Sequence, residues 1–132
     1  MRPDPNRLRR MIDADPYAAL LGIQLVAGGA EGVVVEMDVG ESHVNFLGVA
    51  HGGAVFSLAD CAFSLAANAA GDRAVAIDTH LVISGSSNPG DRLVARAEEA
   101  TRGRTLGTYR VTVERRDGRT VGLFTGTVFI TT

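Results

Sequence analysis

Gly53-Ala-Val-Phe-Ser-Leu-Ala-Asp60-Cys-Ala-Phe-Ser-Leu-Ala-Ala-Asn-Ala-Ala70 is the stretch on which the fold of this chain turns. Helix-forming alanine and leucine recur throughout it. Asp60 is its only charged residue, and apolar side chains fall on nearly every side. A helix that is apolar almost all round is buried in a protein interior rather than laid on a surface. The run is too short and too weakly apolar to span a membrane. The composition therefore predicts one long helix over 53–70, enclosed by the rest of the chain.

Working outward, the upstream segment 31–39 alternates Val33, Val35, Met37 and Val39 with Val34, Glu36 and Asp38, the period-two pattern of a half-buried strand. A second strand over 23–28 joins it at Gly28-Gly29, and a loop fills 40–50. Residues 6–21 read as helical, with Leu8, Met11, Ile12, Ala18 and Leu21 as apolar positions and Pro16 breaking the helix in two. Downstream come four strands. In 74–84, Val75, Ile77, Thr79, Leu81 and Ile83 share one face. The turn Asn88-Pro89-Gly90-Asp91 leads to 92–100, with Leu93, Ala95 and Ala97 inward. Residues 105–115 set Tyr109, Val111 and Val113 on one face, and the hairpin signal Asp117-Gly118 opens the last strand, 119–130. Four consecutive strands with short turns imply an antiparallel sheet, and one long apolar helix needs that sheet around it. The expectation is an α+β hotdog fold, a curved antiparallel sheet wrapped around one central helix.

The chain has 132 residues, which fits a single domain (1–132) with an N-terminal helical segment over 1–22. The net charge of −2 gives no broad pull toward nucleic acid or an anionic membrane. All 13 basic residues are arginine, which excludes Schiff-base lysine chemistry and a P-loop lysine. Cys61 is the only cysteine, so neither an internal disulfide nor a cysteine-rich metal site can form, and the three histidines lack metal-ligand spacing. No metal site is expected. Met1 to Asp15 is arginine-rich but carries Asp4, Asp13 and Asp15 and lacks an apolar signal core, so the expected location is cytoplasmic.

The segment Asn45 to Asn68, the Pro89-Gly90-Asp91 turn and Arg102-Gly103-Arg104 together resemble the hotdog thioesterases of the phenylacetate-degradation (PaaI) type. The resemblance runs from about residue 17 to 130, and the most specific part is His51-Gly52-Gly53 followed by Asp60 and Ala62-Phe63. It implies hydrolysis of an acyl-coenzyme A, often an aromatic one such as phenylacetyl, by a homodimer at minimum and a homotetramer (a dimer of dimers) beyond that. Coenzyme A enters as part of the substrate, and no separate cofactor is implied. Position by position, the helix carboxylate falls on Asp60, the oxyanion donor on the Gly52 amide and the polar loop residue on Asn45. His51 matches the histidine that supports the loop and the donor. Some relatives carry a water-orienting serine on the strand after the helix; the region here reads Ala76-Ile77-Asp78, without it.

The residues support the same chemistry on physical grounds. A carboxylate in an apolar helix is desolvated, which makes it a better base; whether it activates water or attacks directly stays open. The first amides of the helix, at Gly52 and Gly53, have no intrahelical acceptor and carry the positive end of the dipole. Glycine there lets a carbonyl approach closely. Gly52 and Asp60 lie eight residues apart, roughly 12 Å along one helix at about 1.5 Å per residue, whereas a reacting carbonyl needs both within about 3–3.5 Å. Two antiparallel helices related by a two-fold axis satisfy both, so a dimer with two shared sites is expected. Ser57 and Ser64 share the Asp60 face, with Ser64 the better candidate for orienting the carboxylate or a water. Gly53 and the Arg102-Gly103-Arg104 segment are candidates for holding coenzyme A, the arginines through its phosphates.

Plainer readings exist for each residue. Asp60 can be a buried carboxylate paired with an arginine, His51 a helix cap, Asn45 a turn residue, and Ser57 and Ser64 hydroxyls bonded back to helix carbonyls. Arg102 and Arg104 can be a solvated hairpin, Asp78 and His80 a surface pair, and Cys61 a small core residue. Two other functions compete with hydrolysis: a non-catalytic acyl-coenzyme A-binding module, and a hotdog hydratase or dehydratase. A retained carboxylate argues against the first. The second usually pairs a catalytic histidine with the acid, and His51 sits at the helix start instead.

Overall fold

Helix α3, Gly52–Asn68, forms the long central element, and Leu58, Ala59, Ala62 and Phe63 on it are fully buried. The computed structural model describes residues 4–29 and 32–131. The expected N-terminal segment begins, and the expected strand 31–39 opens, at residues outside that set. Ahead of α3 come α1 (Pro5–Asp13), α2 (Pro16–Leu21), β1 (Gln24–Gly29), β2 (Gly32–Asp38) and a short 3-10 turn, Glu41–His43; after it come β3 (Arg73–Ile83), β4 (Arg92–Arg102), β5 (Leu106–Arg115) and β6 (Thr120–Thr131). Gly28 and Gly29, expected to make the first turn, both lie inside β1, with Gly29 opposite Gly32.

The two N-terminal helices repeat one device. Asp4 and Asp15 each precede a proline, and each carboxylate accepts a backbone amide of the turn it opens, from Asn6 and from Ala18, both at 3.0 Å. Pro5 and Pro16 sit in the first helical turn, where a missing N–H costs nothing. Pro16 thus starts a second helix rather than merely ending the first.

The six strands form one antiparallel sheet in the order β1-β2-β4-β5-β6-β3. Helix α3 packs against β2, β4, β5, β6 and β3. Five strands span about 19 Å at ~4.8 Å spacing, wider than a helix of about 10 Å, so the sheet must curl around α3 to touch it from all five. This is the hotdog architecture. Val33, Val35, Met37, Leu93, Ala95, Ala97, Tyr109, Val111 and Val113 line its inner face as the alternation predicts. Phe63 fills the centre, with its ring 5.9 Å from Tyr109 and 5.4 Å from Phe124. Gly126 makes room for it: a Cβ there would stand 2.7 Å from Phe63 Cζ.

Strand β3 departs from the predicted pattern. Ala76 pairs with Val128 and Asp78 with Thr127, so Ile77 is an extra residue in a bulge. The bulge inverts the alternation. Thr79, Leu81 and Ile83 share the inward register with Gly126, Phe124 and Gly122, whereas Val75 pairs with outward-facing Phe129. Val75 and Ile77 are exposed instead of joining that face. Asp78 and His80 lie on the outer side opposite Thr127 and Thr125, where the surface reading places them. No helix among the described residues is long and apolar enough to cross a membrane.

Candidate active site

The loop between β2 and α3 is tied down by two histidines of different function. His43 is buried, accepts the Gly40 amide on Nδ1 at 2.9 Å, and so carries its proton on Nε2, which donates to Leu21 O at 2.8 Å. That bond joins the loop to the end of α2. The His43 carbonyl in turn accepts from the His51 amide at 2.7 Å, and Ser87 O accepts from Ala50 at 2.8 Å. Between them Asn45 builds a turn: its Oδ1 accepts from Leu47 at 2.9 Å and from Val49 at 3.4 Å, and its carbonyl accepts from Gly48, whose φ of 80° is left-handed. The Asn45 carboxamide oxygen is therefore engaged locally, while its Nδ2 hydrogens have no acceptor among the described residues.

His51 is the N-cap of α3. Its Nδ1 accepts the Gly53 amide at 2.9 Å. Gly53 is thereby removed from the pair of free amides expected at the helix start. The Gly52 amide has no acceptor among the described residues, and its α-carbon lies against β3, where a Cβ would meet Ile83 Cδ1 at 2.9 Å.

Eight residues on, Asp60 is half-buried and has neither a hydrogen bond nor an ion pair among the described residues. The arginine partner of the plainer reading is thus not found among the described residues. Burial pushes the Asp60 carboxyl above the ordinary carboxylate range, and the negative charge of Asp15 adds to it. Cys61 beside it has a thiol pushed up to about 12, first by burial and then by Asp15 and Asp60, so it stays protonated and unreactive.

The sequence expects helix α3 to be buried almost all round, but within a single chain one stripe stays open: Gly53 and Ser64 are exposed, and Ser57, Asp60 and Cys61 partly so. Ser57 donates to Gly53 O at 2.8 Å, which leaves Tyr17 OH as donor to Ser57 Oγ at 3.2 Å. Ser57 is occupied as the back-bonding reading holds. The Ser64 hydroxyl, one turn beyond Asp60, has no partner among the described residues.

At the far end of α3, Arg102 is folded inward. Its Nη1 donates to Ala67 O at 3.0 Å and to Tyr109 OH at 2.6 Å, and its Nη2 lies 3.5 Å from Asp72. The guanidinium closes the C-terminal end of the helix rather than standing free for a phosphate. Gly103 donates its amide to Leu106 O at 2.8 Å, and Arg104 is exposed with no ion pair among the described residues. Gly52 and Ala67 stand at opposite ends of α3, roughly 22 Å apart at about 1.5 Å per residue. One chain therefore separates the arginine hairpin and Asp60 from its own Gly52 amide. Among the described residues no group of three or more histidine, cysteine or acidic side chains could hold a metal ion.

Sequence reasoning missed Asp15, Tyr17 and His43. The Asp15-Pro16 pair signals a cap, but nothing local tells that α2 meets α3 at Ser57.

Residues 47–122 match the family model of the thioesterase superfamily. A putative esterase of Deinococcus radiodurans is 41% identical over 117 residues, covering 88% of this chain and 80% of that protein. The acyl-coenzyme A thioesterase PaaI of Escherichia coli is 34% identical over 116 residues, 88% of this chain and 83% of that one. The structure of the E. coli PaaI protein, from the phenylacetic acid degradation operon, superposes with a TM-score of 0.93 over 96% of this chain and 92% of that one, at 31% identity. A hypothetical thioesterase of Streptococcus pneumoniae, solved with coenzyme A, superposes with a TM-score of 0.78 at 29% identity, over 83% and 85%.

Proposed function

The chain belongs to the thioesterase superfamily as a hotdog thioester hydrolase of the PaaI type, and on that premise we propose that it cleaves acyl-coenzyme A, with Asp60 and the Gly52 amide acting together across a two-fold axis. The observation that carries this is the presence of two unsatisfied groups on one helix: a half-buried carboxyl on its open stripe and a helix-start amide, neither with a partner among the described residues.

In the proposed step the substrate carbonyl oxygen accepts the Gly52 amide of one chain. Asp60 of the other chain delivers oxygen to the carbonyl carbon, either by taking a proton from water or by direct attack followed by hydrolysis of the anhydride. The C–S bond breaks and coenzyme A leaves as thiolate, whose conjugate acid has a pKa of about 8.5; the acyl group leaves as the free acid. Water and the chain's own groups suffice, without a further cofactor. His51 holds the helix start in shape, and Ser64 is the hydroxyl placed to orient the water that the missing strand serine would otherwise hold.

Antiparallel packing of two α3 helices fits the remaining groups. It closes the open stripe, sets each Asp60 opposite the partner's Gly52, and brings the Arg104 end of one helix toward the glycine end of the other. Arg104 rather than Arg102 is then the phosphate contact. Beyond the dimer, the outer face of β5, β6 and β3 carries Leu106, Phe129 and Val75 in one row and Leu123 and Val82 in another, all exposed. An apolar surface of this kind favours a second pair of chains, hence a homotetramer. The likeness to a protein of the phenylacetic acid degradation operon favours an aromatic, phenylacetyl-type acyl group.

The test is thiol release from a panel of acyl-coenzyme A thioesters by the wild type and by Asp60→Asn. Loss of turnover in the variant supports the assignment. Equal rates overturn the role of Asp60, and no release from any thioester by the wild type overturns hydrolysis in favour of a binding module.

A further inference from the structure

The N-terminal helical segment is tied to α3 near both ends of that helix. At the C-terminal end of α3, Asp4 N donates to Ala69 O at 3.1 Å and Arg7 Nε to Asn68 O at 2.7 Å. Toward its N-terminal end, Tyr17 OH donates to Ser57 at 3.2 Å. The chain from Arg7 to Tyr17 thus leads from the C-terminal end of α3 back to Ser57, one turn before Asp60. Asp15, two before Tyr17, sits in the part of that stretch next to the Tyr17–Ser57 contact.

Its carboxylate is not free to swing away. Oδ1 accepts the Ala18 amide at 3.0 Å as the cap of α2, and Pro16 fixes the backbone beside it. Asp15 is partly buried and, like Asp60, has no ion pair among the described residues. A fixed, unneutralised negative charge beside Asp60 disfavours ionisation of that carboxyl. From α2, Asp15 and Tyr17 face this region; from α3 itself, Ser57, Cys61 and Ser64 do. Asp15 alone among these carries a charge that acts on Asp60, and the rise in the Asp60 carboxyl agrees with that placement.

We infer that Asp15 is a positioning residue of the active site: as the cap of α2 beside the Tyr17–Ser57 contact, its carboxylate is held next to the stripe of α3 that carries Asp60, and its fixed charge acts on that residue. The inference rests on the proposed role of Asp60. In the two-fold assembly the N-terminal end of the partner's helix acts on Asp60 in the opposite sense, and that contribution is the same with or without the Asp15 charge.

The experiment compares wild type with Asp15→Asn, which keeps an equally good cap and removes the charge. Two readouts are taken: the Asp60 carboxyl titration by ¹³C NMR, and the acid limb of kcat/KM against pH with an acyl-coenzyme A that the wild type cleaves. Both move to lower pH in Asp15→Asn if Asp15 acts as inferred, and neither moves in Asp13→Asn, which removes one exposed acid of the same segment. Asp15→Ser, another capping residue without charge, repeats the test should the asparagine variant fold poorly. An Asp60 titration unchanged in the folded charge-free variant, or an equal movement in Asp13→Asn, overturns the inference. Full activity of Asp60→Asn would instead overturn the catalytic reading, while the NMR titration would still report on Asp15.

Discussion

Nδ1 of His51 accepts the amide hydrogen of Gly53 at 2.9 Å. Two adjacent glycines open the central helix, and this contact divides them: the Gly53 amide is satisfied within the chain, and the Gly52 amide has no acceptor among the described residues. A proline at the first helical position fits the backbone and deletes only the N–H, although its ring presses on the flexible end of Ile83. Gly52→Pro is expected to fold and to lose about 10²–10³ in kcat, the usual loss for one oxyanion donor. Steady-state kinetics beside a thermal melt checks this; a folded variant with full kcat would refute the donor role.

His51 itself acts through the helix start. His51→Ala removes the cap, which costs about 0.5–2 kcal/mol, and lets the first turn fray at the proposed docking place of the substrate carbonyl. His51→Asn restores a capping acceptor and should recover most of the stability. Chemical denaturation of the two variants decides it, with equal losses in both as the contrary result.

Asp60 should show its burial in two ways. As base or nucleophile it must be ionised, and burial followed by the charge of Asp15 raises the pH at which it ionises. The acid limb of kcat/KM therefore lies above the range of an ordinary aspartate. Asp60→Asn should lower kcat/KM by about 10²–10⁴, the usual worth of a positioned base. Stability runs the other way. The folded chain holds the Asp60 proton more tightly than the unfolded chain, so stability falls as pH rises from the unfolded value of 3.8 through the raised folded one. The penalty is fully present above that window. Asp60→Asn lacks it and should melt at a higher temperature than wild type at neutral pH, with the difference vanishing in acid.

Arg102 and Arg104 separate by readout. Arg102→Ala leaves Tyr109 OH and Ala67 O without their donor and should cost about 1–3 kcal/mol of stability, with little change in KM for acyl-coenzyme A. Arg104→Ala should leave stability alone and raise KM about two- to fivefold, the worth of an exposed ion contact. The reverse pattern would place the phosphates on Arg102.

Much of this was legible in the sequence, for identifiable reasons. Helix α3 announces itself because its composition and length admit no other element, and Val33 to Val39 because strict alternation has one reading. Pro16 marks the division of the N-terminal helices because an Asp-Pro pair is both a cap and a first-turn residue. Strand β3 misled because a bulge at Ile77 is set by pairing with β6, which no local pattern in 74–84 encodes. The single free amide at Gly52 depends on one rotamer of His51. The inward turn of Arg102 depends on a helix end 35 residues away in sequence. The nearness of Asp15 to Asp60 arises only when α2 lies on α3. Local periodicity yields elements; contacts between distant elements decide which polar groups are left over for chemistry.

The central claim is that each active site takes its oxyanion donor from one chain and its carboxylate from the other. It is tested most directly by co-expressing Gly52→Pro and Asp60→Asn chains with different tags and isolating the mixed dimer. Each variant alone should be inactive. In the mixed dimer one site combines the intact Gly52 of one chain with the intact Asp60 of the other, and the second site lacks both. The mixed dimer should therefore recover about half of wild-type turnover per dimer, one working site of two. A mixed dimer as inactive as its parents would mean that a single chain supplies both groups, and would contradict the account.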